Sequence, residues 1–212
     1  MIHIVGLGPG AVEALTFGAV DALKKYPIYL RTKKHPTVAY LEEEGMRYVS
    51  FDHIYEGAKT FEEVYETIKE EVLKKAKEED LVYAVPGHPL VAEKSVMLLL
   101  AACKEEGVAY TLYPAVSFVD TMLEALEIDP IQGLRIVDAL DIKKEVPDFK
   151  KGTIITQVFS AYVASEVKIA LSLYMADEDE IVFVRGAGTK EASIRAMPLY
   201  ELDRQKDIDD LT

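Results

Sequence analysis

Short apolar runs alternate with helix-period segments through the first half of the chain, and this alternation constrains the fold more than any other feature. Residues 2–5, 27–30, 48–51, 81–85 and 109–112 are short apolar runs of strand length. Between them, Thr16 suits the N-cap of a helix reaching Lys25, with Val20 and Leu23 on one face. Phe61, Val64, Tyr65, Ile68, Val72 and Ala76 recur at helical spacing, which predicts an amphipathic helix over 60–77. The segment 90–104 is apolar on nearly all sides, as expected of a helix buried in a core or a dimer interface. Strands and helices in this order imply an α/β fold with a parallel or mostly parallel sheet.

The βα series ends at Tyr113-Pro114, so the expected division is an N-terminal α/β domain over 1–113 and a C-terminal α/β domain over 114–212. The second part predicts helices over 117–126 and 161–174. Its strands are expected at 134–137, 152–156, 181–185 and 197–200, with an acidic turn at 177–180. From Glu201 the sequence is charged and carries no closing strand or capped helix, which reads as a chain continuing into a further domain.

A net charge of −13, from 37 acidic and 24 basic residues, argues against general binding to nucleic acid or anionic membranes, which demand clustered Lys and Arg. The longest apolar stretch, 95–103, is too short to cross a bilayer. A single cysteine, Cys103, points to a cytoplasmic protein. No metal site is expected, because His3, His35, His53 and Cys103 lack ligand spacing. Glu62-Glu63-x-x-Glu66 falls opposite the apolar stripe of its helix and is read as a solvated face.

Chemistry is expected at the carboxyl ends of the strands, where open α/β sheets bind ligands. Gly6-x-Gly8-x-x-Ala11 matches a loose dinucleotide fingerprint. Against that reading, Pro9 removes an amide donor, the helix signal starts only at Thr16, and the second strand ends at Leu30-Arg31 instead of a carboxylate. An Arg at that place leaves NADP binding open. Pro86-Gly87-His88-Pro89 is a stiff turn in which Gly87 permits close backbone approach. Pro114-Ala115-Val116-Ser117-Phe118 leads into a helix that Ser117 can cap, and Gly186-Ala187-Gly188-Thr189 offers small residues for packing on a flat ring.

In this order and spacing, Gly6-Leu7-Gly8-Pro9-Gly10 with Leu15-Thr16, the 86–89 turn, Pro114-Ala115-Val116-Ser117 and Gly188-Thr189 resemble the tetrapyrrole (corrin/porphyrin) methylase family. The segments Leu30-Arg31-Thr32 with His35-Pro36, 163–168 and 198–204 are most similar to the methylase half of bacterial fusions that carry a MazG-type nucleotide pyrophosphohydrolase. The resemblance implies a homodimer of two α/β domains with S-adenosylmethionine in the cleft between them. It implies cofactor contacts from Pro9, Gly87, His88, Pro89, Val91, Ala92, Ser117, Phe118, Val158, Ala187, Gly188 and Thr189. It also implies a pyrophosphohydrolase domain following this chain. Two residues depart from the family's usual pattern: His88 stands where many members carry Asp, and Ala115 where Gly is common.

Within that frame the expected activity is methyl transfer to a small-molecule acceptor. His88 is the candidate catalytic base, since an unperturbed imidazole titrates near neutrality. Arg31 and Lys33, in a basic cluster with Lys34 and His35, are candidates for attracting an anionic acceptor, with a solvated loop as the alternative. Tyr113 and Tyr162 are candidates for lining the acceptor pocket. The competing function is a noncatalytic module that binds the cofactor or a nucleotide and regulates an attached pyrophosphohydrolase.

Overall fold

The structure is a computed structural model that describes residues 1–144, 151–209 and 211–212. The chain forms two compact units, Met1–Asp120 and Thr121–Thr212.

The first unit is built on a sheet of β1 (Ile2–Gly6), β2 (Ile28–Leu30), β3 (Tyr48–Ser50), β4 (Leu81–Val85) and β5 (Tyr110–Leu112). The spatial order is β3-β2-β4-β1-β5, and every pairing is parallel. Every residue of β1, β2 and β4 is buried, which explains why they read as continuous apolar runs without alternation. Helix α1 (Phe17–Lys25) starts as expected at Thr16, whose Oγ1 accepts the Ala19 amide at 3.3 Å. Its core face is Ala19, Ala22 and Leu23; Val20 is only half-buried. Two short helices went unread, α2 (Val38–Glu43) and α3 (Asp52–Gly57), because each is too brief to show a helical period.

The long amphipathic helix is α4 (Phe61–Ala76), capped by Thr60 and burying Val64, Ile68, Val72 and Leu73. Phe61, expected on that stripe, is instead exposed. Helix α5 (Lys94–Glu106) starts four residues later than expected, because Glu93 caps it and residues 90–92 form a turn. One face of α5 joins the core through Val96, Leu99 and Cys103, while Met97 and Ala101 are exposed. Helices α4 and α5 thus cover one face of the sheet and α1 and α2 the other.

α6 (Phe118–Leu126) follows, and the division between the units falls inside it. In the second unit β6 (Leu134–Asp138) pairs in parallel with β7 (Gly152–Thr156). Helix α7 (Ala161–Leu171) contributes Val163, Ala164, Val167 and Leu171 to the core. β8 (Glu180–Arg185) and β9 (Ser193–Pro198) form an antiparallel pair. The strand expected at 197–200 is therefore misplaced. Leu199 and Leu202, three apart, enter the core from a 3-10 turn over Leu199–Arg204, so only Met197 and Pro198 of that run belong to a strand. The true strand was masked by Arg195, whose guanidinium stacks over Phe183 at 4.3 Å and pairs with Asp207. Among the described residues, no helix is long and apolar enough to cross a membrane.

Candidate functional site

The strand order fixes where a ligand can sit. From β1 the chain crosses to β2 on one side, whereas from β4 it crosses over β1 to β5 on the other. Neighbouring strands whose connections leave in opposite directions open a crevice at their carboxyl ends. The glycine-rich turn after β1 and the Pro86-Gly87-His88-Pro89 turn after β4 both lie at that point. They are joined there by a two-way bridge: Gly8 donates to the Gly87 carbonyl at 3.2 Å and Gly87 to the Gly8 carbonyl at 2.9 Å.

Gly6 is the point of closest approach. A Cβ there would stand 2.3 Å from the Gly87 carbonyl oxygen, 2.7 Å from Ala115 Cβ and 2.8 Å from Pro89 Cδ. The three turns that follow β1, β4 and β5 therefore converge on one residue that has to be glycine. Thr16 Oγ1 adds a bond to the Pro114 carbonyl at 3.0 Å. Ala115, in the place where Gly is common, does not adopt a positive φ, so the methyl costs its turn nothing.

His88 is half-buried and its Nδ1 accepts the Leu90 amide at 3.0 Å. A neutral imidazole that accepts at Nδ1 carries its proton on Nε2, so in this arrangement the ring offers a donor and no free lone pair. Ser117 caps α6 in a reciprocal box: Asp120 Oδ2 accepts from the Ser117 amide at 2.7 Å and from its Oγ at 2.6 Å. The Ser117 hydroxyl and amide hold the Asp120 carboxyl below the usual range, and nearby His88 adds to that. Asp120 is thus a carboxylate beside the histidine turn that sequence reasoning passed over; the Ser-x-x-Asp spacing was its signal.

Val91 and Ala92 lie in the turn that leads into α5. Ala92 has φ 54°, a left-handed conformation that costs a residue with a side chain of order 1 kcal/mol. The turn is anchored by the next residue. Glu93, 7% exposed, accepts Ser95 Oγ at 2.6 Å, and its other oxygen lies 3.1 Å from Arg31 Nε. Tyr83 completes the chain by bonding Ser95 Oγ at 2.7 Å. Arg31 also donates to the Tyr55 hydroxyl at 3.3 Å. Burial pushes the Tyr55 phenol up to about 12; the Glu93 carboxylate adds to this, and the Arg31 guanidinium opposes it.

The remaining candidates are dispersed. The Lys33 side chain is exposed, and its amide donates to Asp52 Oδ2 at 2.8 Å. The Tyr113 hydroxyl pairs with His3 Nδ1 at 3.0 Å. Tyr162 is 73% exposed at the start of α7. In the second unit, Val158 is buried next to Gln157, which has φ 63°. Ala187 and Gly188 form a turn closed by Thr189, whose amide and Oγ1 both donate to the Gly186 carbonyl. Of three non-glycine residues with positive φ, Ala92 and Gln157 each sit at or beside a residue picked out by the family resemblance, where strain tends to accumulate at binding sites, and Glu127 lies apart from them in sequence. Among the described residues, no group of three or more His, Cys, Asp or Glu is placed to hold a metal.

The first unit is thus a doubly wound parallel sheet with glycine-pinned turns at its switch point, the place where open α/β sheets bind small ligands. Residues 1–203 match the family described as tetrapyrrole (corrin/porphyrin) methylases, and the chain belongs to that family. It is 42% identical over all 212 of its residues to a Bacillus subtilis (strain 168) protein described as uncharacterized protein YabN, and spans 43% of that protein's length. Its fold is similar to that of a Thermus thermophilus uroporphyrin-III C-methyltransferase solved with S-adenosyl homocysteine, at TM-score 0.66 and 20% identity, covering 96% of this chain and 90% of that one. It is similar also to the cobalt precorrin-4 methyltransferase CbiF, at TM-score 0.69 and 19% identity, covering 99% and 91% of the two chains.

Proposed function

We propose that the chain is an S-adenosylmethionine-dependent methyltransferase acting on a small-molecule acceptor. The observation that carries the reading is the convergence of three turns on Gly6 at the switch point, in a member of this family. The residues fit such a cofactor in kind. The turns are pinned through backbone groups, and the one polar side chain of the 86–89 turn presents an N–H donor. Bound there, the cofactor would supply an electrophilic methyl group on sulfur and leave as a neutral thioether. Pro9, Gly87, His88, Pro89, Val91, Ala92, Ser117 and Phe118 are its proposed contacts in the first unit. Val158, Ala187, Gly188 and Thr189 are those proposed in the second. Their work is to hold donor and acceptor in line, which accounts for most of the acceleration available to such a displacement. His88 acts here by donating from Nε2, and the acceptor's proton leaves to solvent or to a base of its own. Tyr113, Tyr162, Arg31 and Lys33 are proposed at the acceptor side.

The wider assembly is also a proposal. The exposed Tyr162 and Ile169 of α7, with Leu173 in the turn just after it, support a homodimer. The length of the Bacillus relative supports a further domain in the whole protein, for which we propose a MazG-type pyrophosphohydrolase. The protein is proposed to be cytoplasmic. One observation favours a second reading, a noncatalytic regulatory module: with Nδ1 occupied, His88 offers no base. Calorimetry with S-adenosylmethionine, S-adenosylhomocysteine, NADP and ATP tests the reading. Binding of the first two without NADP is expected, and binding of NADP alone would overturn it. Transfer of a labelled methyl group to any extracted metabolite then excludes the regulatory module.

A further inference from the structure

The loop after β2 carries the densest run of basic residues, yet beyond its two exposed lysines His35 and Thr37 turn inward onto the glycine-rich turn. Thr37 is fully buried, and its Oγ1 donates to the Leu7 carbonyl at 3.0 Å, with the Gly10 carbonyl at 3.5 Å. His35, two residues earlier, makes a hydrogen bond to the Gly8 backbone. Its Nδ1 accepts the Thr37 amide at 3.3 Å, which fixes its proton on Nε2 and so the direction in which it donates. The segment His35-Pro36-Thr37 therefore takes up backbone groups of Leu7, Gly8 and Gly10, on both sides of Pro9. Threonine at 37 is otherwise hard to explain. It stands at the N-cap of α2, where its hydroxyl would normally cap the helix, but it makes no such bond. Its hydroxyl is spent on a different loop, 30 residues away in sequence.

We infer that Thr37 and His35 are positioning residues of the cofactor turn, holding the carbonyl edge of Leu7–Gly10 so that Pro9 is presented to the ligand in one fixed geometry. The inference rests on the reading above that this turn contacts the cofactor. A backbone carbonyl pulled back by Thr37 cannot swing toward the ligand, and a buried carbonyl left unpaired would drive the turn to rearrange.

The test uses the chain as it stands and compares wild type with Thr37→Val, which keeps the shape and removes the donor, and Thr37→Ser, which restores it. Calorimetry with S-adenosylhomocysteine should show affinity about tenfold weaker for Thr37→Val and within about twofold of wild type for Thr37→Ser. Amide exchange over residues 6–14, measured without ligand, should accelerate in Thr37→Val and return to wild-type rates in Thr37→Ser. Wild-type affinity in a folded Thr37→Val overturns the inference, as does a Thr37→Ser that fails to rescue. If wild type itself does not bind S-adenosylhomocysteine, the proposed function fails. The exchange data then still judge the buttress, with unchanged rates refuting it. Should Thr37→Val not fold, His35→Ala carries the same thresholds for affinity and exchange.

Discussion

His35 gives the structure a pH dependence whose size can be worked out. Burial is the main cause that pushes its imidazole down to about 4; the facing Arg31 guanidinium adds to this, and the hydrogen bond to the Gly8 backbone opposes it. In the unfolded chain the same ring titrates near 6.5, so between those values the unfolded state binds the extra proton and folding stability rises with pH. The stabilisation is complete above about pH 6.5 and is lost as the pH falls toward 4. At pH 4.5 the loss from this residue alone is about 2.5 kcal/mol, a large part of the stability of a typical domain. Protonation would also place a hydrogen on Nδ1, where the Thr37 amide now donates, so that bond cannot survive it. The assay is urea unfolding of wild type and His35→Gln at pH 7 and at pH 4.5. Asp and Glu residues that titrate in this range, and His3, whose imidazole burial also lowers, contribute to both proteins and cancel in the comparison. Wild type should lose about 2.5 kcal/mol more than His35→Gln. Equal losses, within about 0.5 kcal/mol, would refute the reasoning.

Two further outcomes follow from the same site. Gly6→Ala should abolish S-adenosylhomocysteine binding and lower the melting temperature, because its Cβ would stand 2.3 Å from the Gly87 carbonyl oxygen; unchanged calorimetry would show that the turns can separate freely. Glu93→Ala should cost about 3 kcal/mol in urea unfolding, since it strands the Arg31 charge, while Arg31→Met combined with Glu93→Met should recover most of that loss.

The first unit was largely legible in sequence because its strands are fully buried and its long helices carry a clear period. β4 was read to the residue, α1 was placed by a threonine cap that the structure uses, and α4 by its apolar period. What escaped was set by tertiary partners. α2 and α3 are a turn and a half each, too short for a pattern. β9 alternates in a way that Arg195 disguises, since that cation lies flat on Phe183. The turns of the site were visible as glycine and proline clusters. Their convergence on Gly6 was not, because it depends on a strand order that no local signal specifies. The buttress was equally hidden: a threonine before a helix reads as a cap, and only the fold reveals that its hydroxyl reaches the preceding loop.

The basic cluster after β2 shows most clearly how composition can mislead about function. As a string, Arg31-Thr32-Lys33-Lys34-His35 is a lure for anions in an acidic chain. In the fold, Arg31 faces the Glu93 carboxylate, and Thr32 Oγ1 and the Lys33 amide are bonded to Asp52. His35 is held neutral against the glycine turn, with its usual titration displaced downward. The interior members of the run are thus matched by carboxylates or stripped of charge, and only Lys33 and Lys34 keep exposed side chains. A long-range field at this loop would come from those two lysines, screened over a Debye length of about 8 Å at physiological salt. The chemistry of the loop is therefore internal: it stiffens the turns on either side of the switch point, and recognition of the proposed acceptor has to draw on shape and on directed hydrogen bonds more than on attraction at a distance.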